Sequence, residues 1–146
     1  MQDKKNERIL ALLTENAKLT TGQIAKRTGI PTTTVHNRIK HLEKEGIITR
    51  YIPLLDYAKL GKGIGALIFI QAEGKSTDQE ALLRKVTSLN HVISGKIVTG
   101  EFDLLIEVRV GSMDELNDLI VHHLRKTPGV DKTQTMMVLK EERIRG

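Results

Sequence analysis

Along the first third of the chain, apolar residues recur every three or four positions, as they do on a helix with one buried face. One such stripe lies within residues 3–16 and a second lies between Pro31 and Gly46. The stripes consist of Ile9, Leu10, Leu13, Val35, Ile39 and Leu42. The pattern therefore predicts two amphipathic helices that pack through these faces.

A short third helix is predicted between these two, because the signals for both of its ends are present. Thr20 and Gln23 have the spacing of a capping box. Gly29 suits the left-handed residue that ends a helix, and Pro31 pre-sets the backbone for the helix that follows. Three helices with a tight corner before the last one are typical of a helix-turn-helix, whose second helix reads the major groove of DNA.

The polar face of the helix after Pro31 has the chemistry of a DNA reader. Its Thr, Asn and His side chains offer donors and acceptors to base edges, and Lys offers charge to phosphate. Arg38 is expected to divide between packing and phosphate. With nearby cations, the predicted DNA-binding residues are Thr32, Thr33, Thr34, His36, Asn37, Arg38, Lys40, His41, Lys26, Arg27 and Arg50. The alternative interpretation is an ordinary solvated helix face.

The net charge is concentrated in the same part of the chain. The 146 residues contain 23 Lys and Arg against 18 Asp and Glu, a net charge of +5. Residues 1–60 hold eleven of the cations and six of the acids, so they carry the whole excess, and residues 61–146 are neutral. This asymmetry is typical of a phosphate-binding module joined to a neutral one, because neutralising phosphates releases counterions.

From Gly61 onward the pattern changes to strands that alternate with helices. Before it, residues 47–52 are rich in β-branched side chains and predict an extended segment, either a small wing or a linker strand. Strands are predicted over 64–72, 91–99, 104–110 and 132–139, with helices after the first and third. The order βαββαβ predicts a ferredoxin-like domain, an antiparallel sheet with both helices on one face.

The other face of that sheet is expected to be covered as well. The strand 64–72 is apolar on both sides, with Ile68 on one and Leu67 and Phe69 on the other. A strand with water on one face alternates apolar and polar residues, and this one does not. A second copy of the chain is the simplest cover, which predicts a homodimer or a larger assembly such as a tetramer or octamer.

The chain resembles the Lrp/AsnC family of transcription regulators, named after the leucine-responsive regulatory protein and the asparagine regulator. The resemblance covers nearly the whole chain and is carried by the segments TTGQIA at 20–25, TVHNRIKHLEKEGII at 34–48 and VTGEFD at 98–103. It implies an α+β fold: a winged-helix-like helix-turn-helix domain over 1–60 and a ferredoxin-like domain over 61–146. Pro31 stands where the family more often has a capping Ser, so the reading helix is expected to begin without a side-chain cap.

The resemblance also implies that the second domain binds a small effector, usually an amino acid, and sets the assembly state. The matching turn suits a zwitterion, because Gly100 allows backbone amides to approach a carboxylate and Glu101 or Asp103 can meet an ammonium. The predicted effector-binding residues are Gly100, Glu101, Phe102, Asp103, Thr133 and Thr135. An ordinary tight turn with polar ends is the alternative interpretation.

Little in the sequence suggests catalysis. The chain has no Cys, and no Gly-rich phosphate loop, metal site or nucleophile set is recognised, so no enzyme activity and no cofactor are expected. Two alternatives remain open: a subunit like those of siroheme decarboxylase, which resemble the same two-domain layout, and an architectural DNA-binding protein with little sequence preference.

No apolar run approaches the length of a membrane span, which predicts a cytoplasmic protein with no membrane partner.

Overall fold

The computed structural model describes residues 3–143 and divides into two compact units. The first consists of residues 3–55 together with 142–143, and the second of residues 56–141, so the last described residues do not belong to the second unit as predicted. The outermost residues of the two predicted domains, 1–2 and 144–146, lie outside the described residues. The division comes before the boundary predicted after residue 60, because the turn at 57–61 belongs to the second unit.

The first unit is a three-helix bundle, as the apolar spacing predicts. Its helices are α1 (Lys4–Glu15), α2 (Thr21–Thr28) and α3 (Thr32–Lys44). Buried side chains from all three helices and from the corner between α2 and α3 make up its core, namely Ile9, Leu13, Ile24, Ile30 and Val35. Because the core lies on one side of α3, the opposite side of that helix is left to solvent.

The helix ends follow the predicted signals. The Gln23 backbone N–H donates to Thr20 Oγ1 at 3.1 Å, and the Thr20 N–H donates to Gln23 Oε1 at 2.9 Å, which closes the capping box. Gly29 takes the left-handed conformation at φ +74°. Pro31 precedes α3 and provides no side-chain cap, as expected. After α3, the Ile47 and Ile48 backbone N–H groups donate to the Leu42 carbonyl at 2.9 and 3.1 Å. The linker that follows, residues 49–56, has no regular secondary structure, so the segment predicted to be extended forms no strand in the described chain.

The second unit has the predicted order βαββαβ. Its elements are β1 (Ile64–Ala72), α4 (Gln79–Thr87), β2 (Val92–Ile97), β3 (Leu104–Val110), α5 (Met113–Asp118) with a π-helical turn (Leu119–Leu124), and β4 (Val130–Met137). The sheet is antiparallel in the order β2-β3-β1-β4. The strands β1 and β3 have the predicted bounds. β2 is shorter than predicted because the turn closes at Val98, whose N–H donates to the Asp103 carbonyl at 2.8 Å.

The two faces of this sheet differ. Alternate residues of β1, such as Ile68 and Ile70, are fully buried with helix residues that include Leu82 and Leu116. Within residues 56–141 no helix of this unit covers the opposite face, where Leu67 and Phe69 are half-buried and Met136 is exposed. In residues 3–143 no helix combines the length and apolar character that a membrane crossing requires.

Candidate DNA-binding and effector sites

The polar face of α3 points outward because Val35 and Leu42, both fully buried, fix the rotation of the helix. Of the predicted reading residues on this helix, two are half-buried, Thr34 and Arg38. The others are exposed, namely Thr32, Thr33, His36, Asn37, Lys40 and His41. The structure therefore presents hydroxyl, amide, imidazole and ammonium groups together on one helical surface, the mixture that suits base edges and phosphates.

The three predicted cations outside α3 are also exposed. Lys26 and Arg27 lie in the last turn of α2, beside the corner that leads to α3, and Arg50 lies in the linker. Within residues 3–143, none of the three has a recorded ion pair. They are therefore available to phosphate. Lys26 and Arg27 lie on the helix-turn-helix itself, whereas Arg50 lies outside it.

Arg38 is placed differently, because its guanidinium contacts the start of α1. Nη1 donates to Asp3 Oδ2 at 2.6 Å and to Asn6 Oδ1 at 3.1 Å. The hydrogen bond from Arg38, with further backbone bonds, lowers the pKa of the Asp3 carboxyl below its usual range. This role of Asp3 and Asn6 is not among the features predicted from the sequence. Asp3 has the residue type of a helix N-cap, but no local signal links it to a residue 35 positions away.

The turn between β2 and β3 holds four of the six predicted effector-binding residues. Gly100 has φ +116°, a conformation that favours glycine, and Glu101 is exposed. The Phe102 ring packs on Phe69, with 5.6 Å between the ring centroids. The Asp103 backbone N–H donates to a β1 carbonyl at 2.9 Å, so the turn is fixed to the neighbouring strand.

The Asp103 carboxylate is already used within the unit. Oδ2 accepts from the Ala72 backbone N–H at 2.7 Å, and Oδ1 accepts from Gln79 Nε2 at 3.2 Å. It therefore ties the turn to the end of β1 and the start of α4. Glu101, whose side chain is exposed, is the better placed of the two predicted acids to meet an ammonium group.

The other two predicted effector residues, Thr133 and Thr135, lie on a different strand. They pair with Ile70 and Ile68 across β1 and β4, so they share the sheet face that packs against the helices. β1 separates their strand from β3. The structure thus brings the turn residues together, and it places the two threonines apart from them, half-buried on an edge strand.

Charged residues elsewhere do not form a metal centre: the described part of the chain has no group of three or more His, Cys, Asp or Glu side chains with suitable geometry. The adjacent His122 and His123 are both exposed, and His123 Nε2 lies 3.3 Å from Asp118 Oδ2. This contact is a surface pair between the last residue of α5 and the π-helical turn.

Comparison with known proteins agrees with both halves of the chain. Residues 2–49 match the model of winged helix-turn-helix DNA-binding domains, and residues 65–145 match that of the Lrp/AsnC ligand-binding domain. An uncharacterised HTH-type transcriptional regulator of Pyrococcus abyssi is 37% identical over 144 residues, covering 96% of each chain.

Solved structures give the same result for the fold. A transcriptional regulator of Neisseria meningitidis, solved in complex with L-Met, has a TM-score of 0.91 at 28% identity and covers 99% of this chain and 94% of its own. AsnC of E. coli has a TM-score of 0.87 at 27% identity, covering 100% and 97%. These similarities confirm the predicted α+β fold with its two domain types. The relatives are named as regulators and not as enzymes.

Proposed function

Because the chain belongs to the Lrp/AsnC family of helix-turn-helix transcription regulators, we propose that it binds specific sequences of double-stranded DNA through α3 and that a small effector modulates this binding. The observation that carries the proposal is the exposed face of α3. Thr33, His36 and Asn37 lie there as base-edge donors and acceptors beside the cation of Lys40. A protein that acts on DNA in this way is expected in the cytoplasm.

The proposed DNA contacts fall into two classes. Hydroxyl, amide and imidazole groups of α3 contact base edges, and Lys26, Arg27, Lys40 and Arg50 contact phosphates. The base contacts set sequence preference, whereas the phosphate contacts set the salt dependence of binding.

The active form is proposed to be a dimer or a larger assembly of dimers. On the face of the sheet without helices, Leu67 is flanked across the strands by Glu107 and Met136, and Phe69 is flanked by Leu105 and Gln134. Apolar residues thus occupy the centre, with polar ones at intervals, which is the composition of a self-complementary interface. Two reading helices in a symmetric dimer imply a near-palindromic site with half-sites about 34 to 36 Å apart, or multiples of that distance.

The effector is proposed to be an amino acid bound at the turn 99–103. The backbone amides beside Gly100 suit its carboxylate, and the exposed Glu101 suits its ammonium. In the related Neisseria meningitidis protein the bound molecule is L-Met. Effector binding changes DNA occupancy only if the effector has different affinities for the DNA-bound and the DNA-free protein.

The test is selection of bound fragments from random duplex DNA by the purified full-length chain, at near-physiological salt, with and without a pool of amino acids. An enriched palindrome supports a specific regulator, and a change on adding one amino acid identifies the effector. Asn37→Ala should relax the base preference at one position of each half-site. Lys40→Gln should instead lower the affinity for all sequences equally. Binding that depends on salt but enriches no sequence would reject specificity in favour of an architectural role.

A further inference from the structure

Asp3 uses both of its carboxylate oxygens inside the first unit. Oδ1 accepts from the Asn6 backbone N–H at 2.8 Å, which caps α1, and Oδ2 accepts from Arg38. One carboxylate thus joins the first turn of α1 to the middle of α3. Further along α1, Arg8 donates to the Thr28 carbonyl at the end of α2, so side chains tie α1 to both helices of the helix-turn-helix.

The pairing makes Arg38 a poor ligand for phosphate. Asp3 and Asn6 both accept from Nη1, and the Asp3 carboxylate beside the guanidinium offsets its charge and repels an incoming phosphate. The Arg38 side chain is 28% exposed and lies against α1. Lys40, two residues further along the same helix, is exposed and has no recorded ion pair in residues 3–143.

Three of the predicted reading residues line the same groove between α1 and α3 as the Asp3–Arg38 pair. Its lining consists of Asp3, Asn6, Thr34, Asn37, Arg38 and His41. Thr34 and His41 lie one helical turn before and after Arg38, so the three share one side of α3. Any rotation of α3 against α1 redirects Thr34, Asn37 and His41 together.

From these contacts we propose that Arg38 is a positioning residue of the DNA reader. Together with Asp3 it fixes α3 against α1, and so it fixes the direction of the base-reading side chains without contacting phosphate itself. The proposal rests on the proposed function, because it assigns a role within the same DNA-binding surface.

The test measures the affinity of the full chain for its selected duplex and for a random duplex over a series of salt concentrations. The variants are Arg38→Met, Asp3→Asn and the double variant, with Lys40→Met as the matched control that removes one cation from the same helix. Each phosphate contact adds about 0.9 to the slope of log affinity against log salt. The slope therefore distinguishes a phosphate contact from a positioning role.

If Arg38 is a positioning residue, Arg38→Met leaves the salt slope unchanged, whereas Lys40→Met lowers it by about 1. The preference for the selected duplex falls about tenfold in Arg38→Met and falls less in Asp3→Asn, which keeps the bond from Arg38 to Asn6. The double variant loses no more than Arg38→Met, because that substitution already removes both bonds. A slope reduced by about 1 in Arg38→Met, with the preference unchanged, overturns the proposal. So does Asp3→Asn binding more tightly with full preference, since this would mean that the substitution frees Arg38 for phosphate.

The variant Asp3→Asn is expected to remain folded, because Asn is as good an N-cap as Asp and keeps the bond to the Asn6 N–H. Thermal unfolding followed by circular dichroism confirms that each variant is folded. A wild-type chain that selects no sequence rejects the proposed function and the positioning role together. Variant results obtained with a selective wild-type chain bear on Arg38 alone.

Discussion

The guanidinium of Arg109 lies across the backbone of Gly65, its cross-strand partner, so closely that a Cβ on Gly65 would be 2.9 Å from Nη1. Arg109 is only 8% exposed. Its charge is held by ion pairs with Glu107 and Glu141 and by the Tyr57 ring, which lies 5.1 Å from the guanidinium carbon. Glycine at position 65 is therefore what allows a buried arginine to lie flat on this face of the sheet.

Gly65→Ala should lower the free energy of unfolding by about 1 to 3 kcal/mol, because the new methyl group overpacks a guanidinium that cannot move without breaking its ion pairs. Chemical denaturation measures this. Gly63→Ala is the matched control, since its Cβ would meet nothing closer than 3.5 Å. Adding Arg109→Met to Gly65→Ala should remove most of the penalty. Equal effects of Gly65→Ala with and without Arg109 would contradict the contact.

Gly22 and Gly29 lie in the same small helix region but should respond in opposite directions to alanine. Gly22 is inside α2, and its added Cβ would meet only Thr20 Oγ1 at 3.9 Å. Gly22→Ala should therefore stabilise the first unit by about 0.5 to 1 kcal/mol. Gly29 ends the helix at φ +74°, so Gly29→Ala should destabilise it by about 1 kcal/mol. Thermal unfolding of the two variants checks the signs, and the same sign for both would refute the argument.

Local signals account for the parts of the fold that the sequence predicts well. The capping residues Thr20 and Gln23 and the left-handed Gly29 lie within a few positions of the helix ends they define. The apolar run of β1, interrupted only by Gln71, likewise identifies a central strand, and its observed bounds are the predicted ones. In each case the determining signal lies within the element or within a few residues of its ends.

The parts that escaped prediction depend on contacts between distant residues. No residue close to Arg38 in the sequence indicates that it forms an ion pair with Asp3. Likewise, no residue close to Asp103 indicates that the Ala72 N–H and Gln79 donate to its carboxylate. Residue type alone suggested ligand contacts at both positions. Side chains with strong hydrogen-bonding capacity serve intramolecular ties as readily as ligands, and only the fold distinguishes the two.

Tyr51 should titrate above the ordinary tyrosine pKa of 10.0, because partial loss of hydration around its half-exposed ring and then the neighbouring Glu43 carboxylate raise its pKa. The folded state holds this proton more tightly than the unfolded state. Its contribution to stability is therefore complete below about pH 10 and is lost as the pH rises through the folded pKa. Ultraviolet absorbance of tyrosinate measures the titration in a Tyr57→Phe background, which leaves Tyr51 alone. Glu43→Gln should lower the pKa of Tyr51, and an unchanged titration would rule out the influence of Glu43.

The two acids of the effector turn should separate into a structural and a ligand-binding role. Asp103→Asn weakens the bonds to the Ala72 N–H and to Gln79, and bonds to a charged group contribute about 1.5 to 3 kcal/mol. We expect a loss of about 1 to 2 kcal/mol in the free energy of unfolding, measured by chemical denaturation. Glu101→Gln changes an exposed side chain and should alter stability by less than about 0.5 kcal/mol.

The effector response then distinguishes the roles of these acids. If Glu101 binds the ammonium of an amino acid, Glu101→Gln abolishes the effector-dependent change in DNA binding while stability and effector-free DNA affinity stay at wild-type values. Asp103→Asn loses the response together with stability, because the turn itself loosens. The opposite result is a full effector response in Glu101→Gln together with a lost response, at unchanged stability, in Asp103→Asn. It would show that Asp103 is the ligand contact and that its bonds to Ala72 and Gln79 do not stabilise the fold.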